Sequence, residues 1–372
     1  MQYKSFKDEV QISRLGMGNM RLPVKTDVPG EPVDYERAKA IVDAAVAAGV
    51  NYFDTAYIYH NGESEGFTGR ALAEYPRDSY FVADKFNFQA QPDYRAQFAE
   101  QLERLGLDRI DFYLLHGIQD YFSEDIIASG CIEYFDRMKR EGKIRWLGFS
   151  FHGSIPVLKR MLDIYDWDFV QIQLNYYDWY CGEAREQYEI LHEAGIPVMV
   201  MEPVHGGMLA KLEPEAEKLL KYAAPEASAA SWAMRFVLGL EGVQVVLSGM
   251  SDIEQLTDNA ATFSACEPLK DVEQTLVKRV CEIQHASVAV ACTGCRYCTP
   301  NCPKGLDIPR LLKAYNDAKI GGTWRLTNLV LPEDEMPGNC IGCGACASHC
   351  PQSFRIPDYL KELDEMVESL KG

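Results

Sequence analysis

Two cysteine blocks near the end of the sequence have a spacing that predicts metal chemistry. Their sequences are CTGCRYCTPNCP and CIGCGACASHCP, and each contains C-x2-C-x2-C-x3-C-P. Three thiolates two residues apart can wrap the irons of one cubane, and a fourth thiolate, followed by proline, can reach a second cubane. The blocks therefore predict two 4Fe-4S clusters, with these ligands: Cys292, Cys295, Cys298, Cys302, Cys340, Cys343, Cys346 and Cys350.

This spacing resembles that of bacterial ferredoxins with two clusters. The resemblance implies that the last cysteine of each block binds the cluster of the other block. One predicted ligand set is Cys292, Cys295, Cys298 and Cys350, and the other is Cys340, Cys343, Cys346 and Cys302. A zinc ribbon is the alternative, although eight thiolates in a duplicated pattern exceed the four that one zinc ion needs. A purely structural role for the clusters stays open, because metal binding contributes to the folding of such a module.

Four polar residues in the first third of the chain could act together in acid–base chemistry. Asp54 and Tyr59 follow one short apolar run, and Lys85 and His116 end the next two. The ordinary pKa of tyrosine, about 10, is too high for easy proton exchange at neutral pH, and a nearby ammonium group lowers it. Lys85 could supply that charge with Asp54 holding it in place, and His116 could donate a hydrogen bond to a carbonyl oxygen.

The elements that must position these residues alternate along the chain. Short β-branched or aromatic runs alternate with helical patterns from residue 10 to about 265, which is typical of βαβ units. Eight strands are predicted at residues 14–18, 51–56, 80–85, 110–116, 144–150, 169–174, 197–202 and 243–249. Eight such units favour an α/β fold of the closed (β/α)8 TIM-barrel type over an open sheet. We expect the four polar residues to converge at the C-terminal ends of the strands, where TIM-barrel chemistry occurs.

The segments around the predicted barrel suggest a second domain. Residues 3–13 are predicted to form a hairpin at the bottom of the barrel, and a helix is predicted near 269–287. The following segment is rich in Cys, Gly and Pro, and an amphipathic helix follows each cysteine block. We therefore predict a barrel over 1–287 and a mainly helical, ferredoxin-like domain with two 4Fe-4S clusters over 288–372.

The barrel sequence resembles the aldo-keto reductases. The similarity lies in FDTA followed by a tyrosine, VADKF, ERLGLDRIDFYLLH, GKIRWLGFS, FVQIQLNYYD, PVMVMEPVHGG and LSGMSDIEQLTDN. It implies an oxidoreductase that transfers hydride between a nicotinamide cofactor and a carbonyl or alcohol substrate. It also implies that Asp54, Tyr59, Lys85 and His116 form a catalytic tetrad with Tyr59 as the proton donor.

The resemblance also implies residues that contact the cofactor. Ser150 matches a position that contacts the carboxamide, but Phe151 and His152 follow where the family usually has asparagine. Gln171 is preferred over Gln173 for a second amide contact. The remaining candidates are Met201, Glu202, Gly206, Gly207, Ser248, Gly249, Met250, Gln255 and Asn259. Gly249 and Gln255 stand where many relatives have a Lys and an Arg for the 2′-phosphate, so NAD and NADP both remain candidates with no preference for NADP.

Composition excludes some partners. The chain has 55 acidic and 37 basic residues, and its net charge of −18 opposes binding to nucleic acid or to anionic membranes. The N-terminus is polar and no apolar run is long enough to span a bilayer, so we expect a soluble, cytoplasmic protein. Four further cysteines, Cys131, Cys181, Cys266 and Cys281, are expected to be buried as small apolar residues.

The two predicted domains leave the electron route open. Nicotinamides move electrons in pairs, whereas 4Fe-4S clusters move them singly, and a flavin is a cofactor that can link the two. The first alternative is therefore a flavin-linked reductase that takes single electrons from a ferredoxin-like carrier protein. The second is a non-catalytic binding or regulatory subunit with structural clusters. The leading hypothesis remains an aldo-keto reductase acting on a small carbonyl or alcohol.

Overall fold

The structure is a computed structural model that describes residues 1–26, 30–323, 326 and 331–370, without the side chains of 320 and 321. Ten strands are present in the described residues: β1 Tyr3–Phe6, β2 Val10–Ser13, β3 Leu15–Gly18, β4 Tyr52–Asp54, β5 Phe81–Phe86, β6 Ile110–Ile118, β7 Ile144–Phe151, β8 Phe169–Gln173, β9 Val198–Met201 and β10 Val243–Ser248. The eight strands predicted from the sequence are β3 to β10. Each of these strands is a short run of mostly buried residues, and such runs are visible in the sequence.

Strands β3 to β10 form a closed parallel barrel, and β10 pairs with β3 to complete it. This confirms the predicted α/β fold with a (β/α)8 TIM barrel. The pairing sets Asp54 of β4 opposite Ala83 of β5, and Lys85 of β5 opposite Leu114 of β6. Because the strands are parallel, their C-terminal ends and the polar residues on them lie at one edge of the barrel.

The predicted hairpin at the start of the chain is confirmed. Strands β1 and β2 pair antiparallel, and Phe6 at the end of β1 is fully buried. The Phe6 ring lies 5.2 Å from the ring of Phe112 and 5.0 Å from that of Trp146, centroid to centroid. Phe112 lies near the start of β6 and Trp146 near the start of β7. The hairpin therefore closes the N-terminal end of the barrel with aromatic side chains.

Fifteen helices are present in the described residues: α1 Tyr35–Ala47, α2 Glu63–Leu72, α3 Tyr94–Leu105, α4 Ser123–Ala128, α5 Cys131–Arg140, α6 Ile155–Ile164, α7 Tyr176–Cys181, α8 Ala184–Glu193, α9 Pro214–Ala223, α10 Ala229–Leu238, α11 Ile253–Ala265, α12 Asp271–Ala286, α13 Ile308–Gly321, α14 Ala345–Ser348 and α15 Ile356–Ser369. Aspartates begin several of them. The side chains of Asp34, Asp93 and Asp252 accept hydrogen bonds from the first turns of α1, α3 and α11. These caps satisfy backbone N–H groups that have no partner inside a helix, and so fix where each helix begins.

The chain divides by its contacts into two compact units. The first comprises Met1–Val204 and Glu226–Thr275, and the second comprises His205–Pro225 and Leu276–Gly372. The second unit therefore includes the segment that follows β9 together with the cysteine blocks. The boundary between independently folding domains at residues 287 and 288 stays a prediction.

The C-terminal region has a small apolar core of its own. Leu311 and Leu312 of α13 and Leu360 and Leu363 of α15 are buried in it, next to cysteines of both blocks. This arrangement confirms the predicted mainly helical C-terminal region. No helix in the described part of the chain is long and apolar enough to cross a membrane.

The scattered cysteines only partly match the prediction. Cys131 and Cys281 are buried as expected, but Cys181 is exposed and Cys266 is only partly buried. Cys181 ends α7 and Cys266 follows α11, and helix ends commonly lie at the surface. The prediction was wrong for these two because composition alone does not show which end of a helix reaches solvent.

Candidate active site and cysteine cavities

The structure brings together the four polar residues that were predicted to form a tetrad. The Nζ of the fully buried Lys85 donates to Asp54 Oδ1 at 2.6 Å and to the backbone oxygen of Thr55 at 2.6 Å. The same Nζ lies 4.9 Å from the centroid of the Tyr59 ring. The Tyr59 and His116 rings meet edge to face with their centroids 5.8 Å apart. One ion pair, one phenol and one imidazole therefore share a site with little access to water.

Burial sets the protonation of this site. It raises the pKa of the Asp54 carboxyl, and the ammonium of Lys85 opposes that shift. Burial also lowers the pKa of His116 well below its usual value, and the nearby Lys85 and His152 lower it further. His116 is therefore neutral at physiological pH, so only one of its two ring nitrogens carries a proton.

A tight turn sets the position of Tyr59. It begins a short 3-10 turn, Tyr59–Gly62, in which His60 and Asn61 have φ values of 51° and 55° and Gly62 has a φ of 90°. Left-handed backbone costs roughly 1–2 kcal/mol for a residue other than glycine. Such residues persist where the surroundings hold them, and they cluster at functional sites. The turn reverses the chain into α2 directly after Tyr59.

Two asparagines that were not identified from the sequence lie near the same strand ends. Asn87 follows β5, and its Nδ2 lies 3.3 Å from Nδ1 of His116. Asn19 follows β3 and is fully buried, with Nδ2 donating to Thr68 Oγ1 at 2.7 Å. Its Oδ1 has no hydrogen-bond partner among the described residues. The available signal for both was their position just after a barrel strand, where site residues of this fold lie.

Three of the candidate cofactor residues lie on neighbouring strands. Ser150 of β7 and Gln171 of β8 are paired in register, and both are buried. The Ser150 hydroxyl accepts from the backbone N–H of Gly117 at 2.7 Å, and Gln171 Nε2 lies 3.5 Å from the sulfur of Met201. The Gln171 side-chain oxygen has no partner in the described part of the chain. A buried oxygen without a donor is unfavourable, and the amide N–H of a ligand would satisfy it.

Five candidates surround the start of α11: Ser248, Gly249, Met250, Gln255 and Asn259. The Asn259 side chain donates to the Ser248 hydroxyl at 3.1 Å, and Met250 is buried. The Gln255 side chain is bonded at both ends within the turn that precedes the helix. The side chain of Arg21 lies against Gly249, because a Cβ added there would stand 2.8 Å from the Arg21 Cγ. The structure thus places the aliphatic part of the Arg21 side chain beside the turn that precedes this helix.

The remaining candidates follow β9. Glu202 has a φ of 55°, and its backbone oxygen accepts from the Asn175 side chain at 2.9 Å. Gly206 and Gly207 belong to the second unit. Gly206 has a φ of 64°, and a Cβ there would lie 2.1 Å from the backbone oxygen of Thr293, whereas a Cβ on Gly207 would meet nothing within 4 Å. Gly206 is thus the point where this loop packs against the first cysteine block.

The cysteines lie around two cavities of the second unit. The lining of one cavity includes Cys292, Cys295, Cys298 and Cys350. The lining of the other includes Cys302, Cys340, Cys343 and Cys346. Each set combines three cysteines of one block with the last of the other. Leucine, isoleucine and proline side chains form part of both walls, and a cavity lined by four thiols in this way suits an iron–sulfur cluster. No three His, Cys, Asp or Glu side chains in the described residues are grouped closely enough to hold a single metal ion.

Comparisons with known proteins identify both parts of the chain. Residues 14–280 match the aldo/keto reductase family, and residues 291–354 match the 4Fe-4S dicluster domain. The chain therefore belongs to the aldo/keto reductase family, as an oxidoreductase with a C-terminal 4Fe-4S dicluster domain.

Individual relatives cover the barrel. L-galactose dehydrogenase of Arabidopsis thaliana is 30% identical over 271 residues, 66% of this chain and 83% of that protein. NADH-specific methylglyoxal reductase of Escherichia coli is 23% identical over 322 residues, 74% of this chain and 96% of that protein. The holo form of an aldo-keto reductase from Bacillus halodurans is 27% identical, with a TM-score of 0.62 over 75% of this chain and 96% of that chain.

Proposed function

We propose that this enzyme transfers hydride between a nicotinamide cofactor and a small carbonyl or alcohol substrate, with Tyr59 as the proton donor. The observation that carries the proposal is the position of Lys85. Its Nζ bonds to the Asp54 carboxylate and lies 4.9 Å from the Tyr59 ring centroid, inside a buried site. A positive charge in that position would stabilise the phenolate that remains when the tyrosine gives up its proton.

The residues of the chain have separate tasks in this proposal. A bound nicotinamide supplies the hydride. Tyr59 gives its phenolic proton to the carbonyl oxygen as the alcohol forms, and takes the proton back in the reverse direction. Lys85 stabilises the charge left on Tyr59, and Asp54 holds Lys85 in place. The neutral His116 donates a hydrogen bond that polarises the carbonyl group.

Two groups of residues would hold the cofactor. Ser150 and the unpartnered oxygen of Gln171 are suited to a carboxamide, which offers both an acceptor and donors. Arg21 and the start of α11 are suited to the pyrophosphate, since a helix N-terminus and a guanidinium group both favour negative charge. The pyrophosphate is common to NADH and NADPH, so this arrangement gives no strong preference for NADPH. The Escherichia coli relative is named for NADH, which is compatible with it.

The two cavities would each hold one 4Fe-4S cluster. One would use Cys292, Cys295, Cys298 and Cys350, and the other Cys302, Cys340, Cys343 and Cys346. A 4Fe-4S cluster supplies single electrons when it conducts, and it also stabilises the fold that binds it. A flavin-linked route with a one-electron carrier protein stays the second candidate, because clusters bound by these cysteines could carry single electrons, which the tetrad cannot.

The test of the catalytic role replaces Tyr59 by phenylalanine. Tyr59→Phe keeps the ring and removes the proton donor, so turnover of aldehydes with NADH or NADPH should fall about 100-fold or more while cofactor binding is kept. Tyr57→Phe is the matched control, because the Tyr57 hydroxyl donates to Glu100 at 2.9 Å, away from the tetrad. Full turnover of Tyr59→Phe with a reduced one-electron donor would instead favour the flavin-linked route.

The test of the cluster assignment measures iron and acid-labile sulfide in anaerobically purified protein. We expect about eight of each per chain, and about four in Cys343→Ala. Cys181→Ala is the control, because that cysteine lies on α7 of the barrel. Zinc without sulfide, or an unchanged iron content in Cys343→Ala, would contradict the assignment.

A further inference from the structure

The side chain of Asn87 has a defined orientation next to the imidazole of His116. Its Oδ1 accepts from the backbone N–H of Ala90 at 2.9 Å. A backbone N–H can only donate, so the atom that faces it must be the oxygen of the amide. The opposite end, Nδ2, then points to Nδ1 of His116 at 3.3 Å and can only donate to it. The two contacts together distinguish the two ends of the amide.

The backbone of Asn87 is also held from both sides. Its N–H donates to Oε1 of Gln97 at 2.7 Å, and its carbonyl oxygen accepts from Nε2 of the same side chain at 3.0 Å. Gln97 is fully buried on α3, and its Nε2 also donates to the backbone oxygen of Gln91 at 2.8 Å. The segment after β5 is thus bonded to a helix of the barrel, which holds the backbone of Asn87 near His116, and the bond from Ala90 orients its side chain.

The surroundings of His116 keep its imidazole neutral. Burial and the nearby ammonium of Lys85 both oppose a positive charge on it, so that its pKa is lowered. Tyr59 meets it edge to face. A neutral imidazole that accepts a hydrogen bond at Nδ1 must carry its proton on Nε2. Only that tautomer can donate a hydrogen bond from Nε2 to a substrate oxygen.

We propose that Asn87 is a positioning residue that fixes His116 in the tautomer with its proton on Nε2. The proposal rests on the proposed function for its catalytic consequence, since His116 acts there as a hydrogen-bond donor to the carbonyl oxygen. The contacts of Asn87 with His116, Ala90 and Gln97 do not depend on that function. The tautomer can therefore be tested separately from the activity.

The most informative variant is Asn87→Asp. It has the same shape and still accepts from the N–H of Ala90, so the segment after β5 should fold as before. Toward His116 the carboxylate can only accept, which reverses the hydrogen bond and draws the proton to Nδ1. At alkaline pH, where the imidazole is neutral, Nε2 would then be an acceptor and would repel a carbonyl oxygen. Gln89→Glu is the control, because it adds the same charge to the same segment and Gln89 contacts Tyr121, not His116.

The experiment combines two measurements on the full chain with its clusters. The first is the nitrogen NMR spectrum of protein labelled with 15N-histidine, in which the His116 signals are assigned by their loss in His116→Gln. We expect a protonated Nε2 and an unprotonated Nδ1 in the wild type and in Gln89→Glu, and the reverse in Asn87→Asp.

The second measurement is the turnover of an aldehyde with NADH at alkaline pH. We expect turnover to fall about 100-fold in Asn87→Asp, as it does when one oxyanion donor is removed. Asn87→Ala should lose less of its turnover than Asn87→Asp, because an imidazole without this partner still populates both tautomers.

The outcomes separate the inference from the proposed function. A wild-type His116 protonated on Nδ1, or a tautomer that Asn87→Asp leaves unchanged, would overturn the inference and leave the role of Tyr59 untouched. A reversed tautomer with undiminished turnover would overturn the role of His116 as donor, and with it the catalytic half of the inference.

Discussion

Lys85→Met separates the structural and the catalytic roles of the buried ion pair. The side chains of Lys85 and Asp54 are 0% and 4% exposed, and their charged atoms are 2.6 Å apart. Replacing Lys85 leaves the Asp54 carboxyl buried without its cation. Loss of one partner from a buried pair costs about 3–5 kcal/mol in the free energy of unfolding. The second variant, Lys85→Met with Asp54→Asn, removes the buried charge as well and should regain most of that loss.

The loss of stability should depend on pH. Burial already raises the pKa of Asp54, and removal of Lys85 takes away the influence that opposes the shift. A carboxyl with a raised pKa in the folded state favours folding only while it is protonated. Its contribution to the free energy of unfolding is therefore fully present below about pH 4, the pKa of the carboxyl in the unfolded chain. That contribution is lost as pH rises through the pKa of the carboxyl in the folded protein. The single variant should approach the double variant in stability as the pH falls toward about 4.

Turnover should not recover with stability. Both variants leave Tyr59 without a neighbouring ammonium, so the turnover number should fall about 100- to 10,000-fold in each. Adding Tyr59→Phe should lower it little further, because Lys85 acts through Tyr59. The assays are denaturant unfolding and the turnover of one aldehyde at matched pH. Wild-type turnover in the double variant would refute the reasoning, and so would unchanged stability in the single variant.

Two further predictions concern the loop after β9 and the cofactor phosphates. Gly206→Ala should lower the free energy of unfolding by about 1–3 kcal/mol more than Gly207→Ala, because only the first places a Cβ against Thr293. Equal melting temperatures of the two variants under anaerobic conditions would argue against that close contact. Arg21→Gln should weaken NADH and NADPH about equally, by roughly 1.5–3 kcal/mol for a charge-assisted bond, with little effect on the turnover number. A loss confined to NADPH in fluorescence titrations would assign Arg21 to the 2′-phosphate instead.

The barrel was predictable because its strands are short apolar runs between amphipathic helices. The hairpin of residues 3–13 was predicted only as the segment ahead of the first barrel strand, and the burial of Phe6 shows what holds it there. The eight cysteines followed from motif spacing, whereas the two crossed cysteine sets and the tetrad were implied by resemblance to known families. The structure places each group together. Local sequence was sufficient in these cases because strand order and motif spacing determine the three-dimensional neighbours.

Residues whose role depends on loop geometry could not be predicted. Asn87 faces His116 only because Gln97, ten residues later, bonds to its backbone. Arg21 lies against Gly249, which is distant in sequence, because β3 and β10 are neighbours where the barrel closes. No periodic pattern records such long-range contacts. The same holds for Gly206, whose need for glycine depends on the backbone of Thr293.

The most direct test of hydride transfer uses NADH that carries deuterium on the transferred position of C4. The enzyme reduces an aldehyde with this cofactor in ordinary water, and mass spectrometry and NMR locate the label in the alcohol. Direct transfer predicts one deuterium on the former carbonyl carbon in nearly every product molecule, with the proton on oxygen derived from solvent through Tyr59. A route through a flavin or through single electrons exchanges the label with water. An alcohol without deuterium on that carbon would therefore contradict the proposed function.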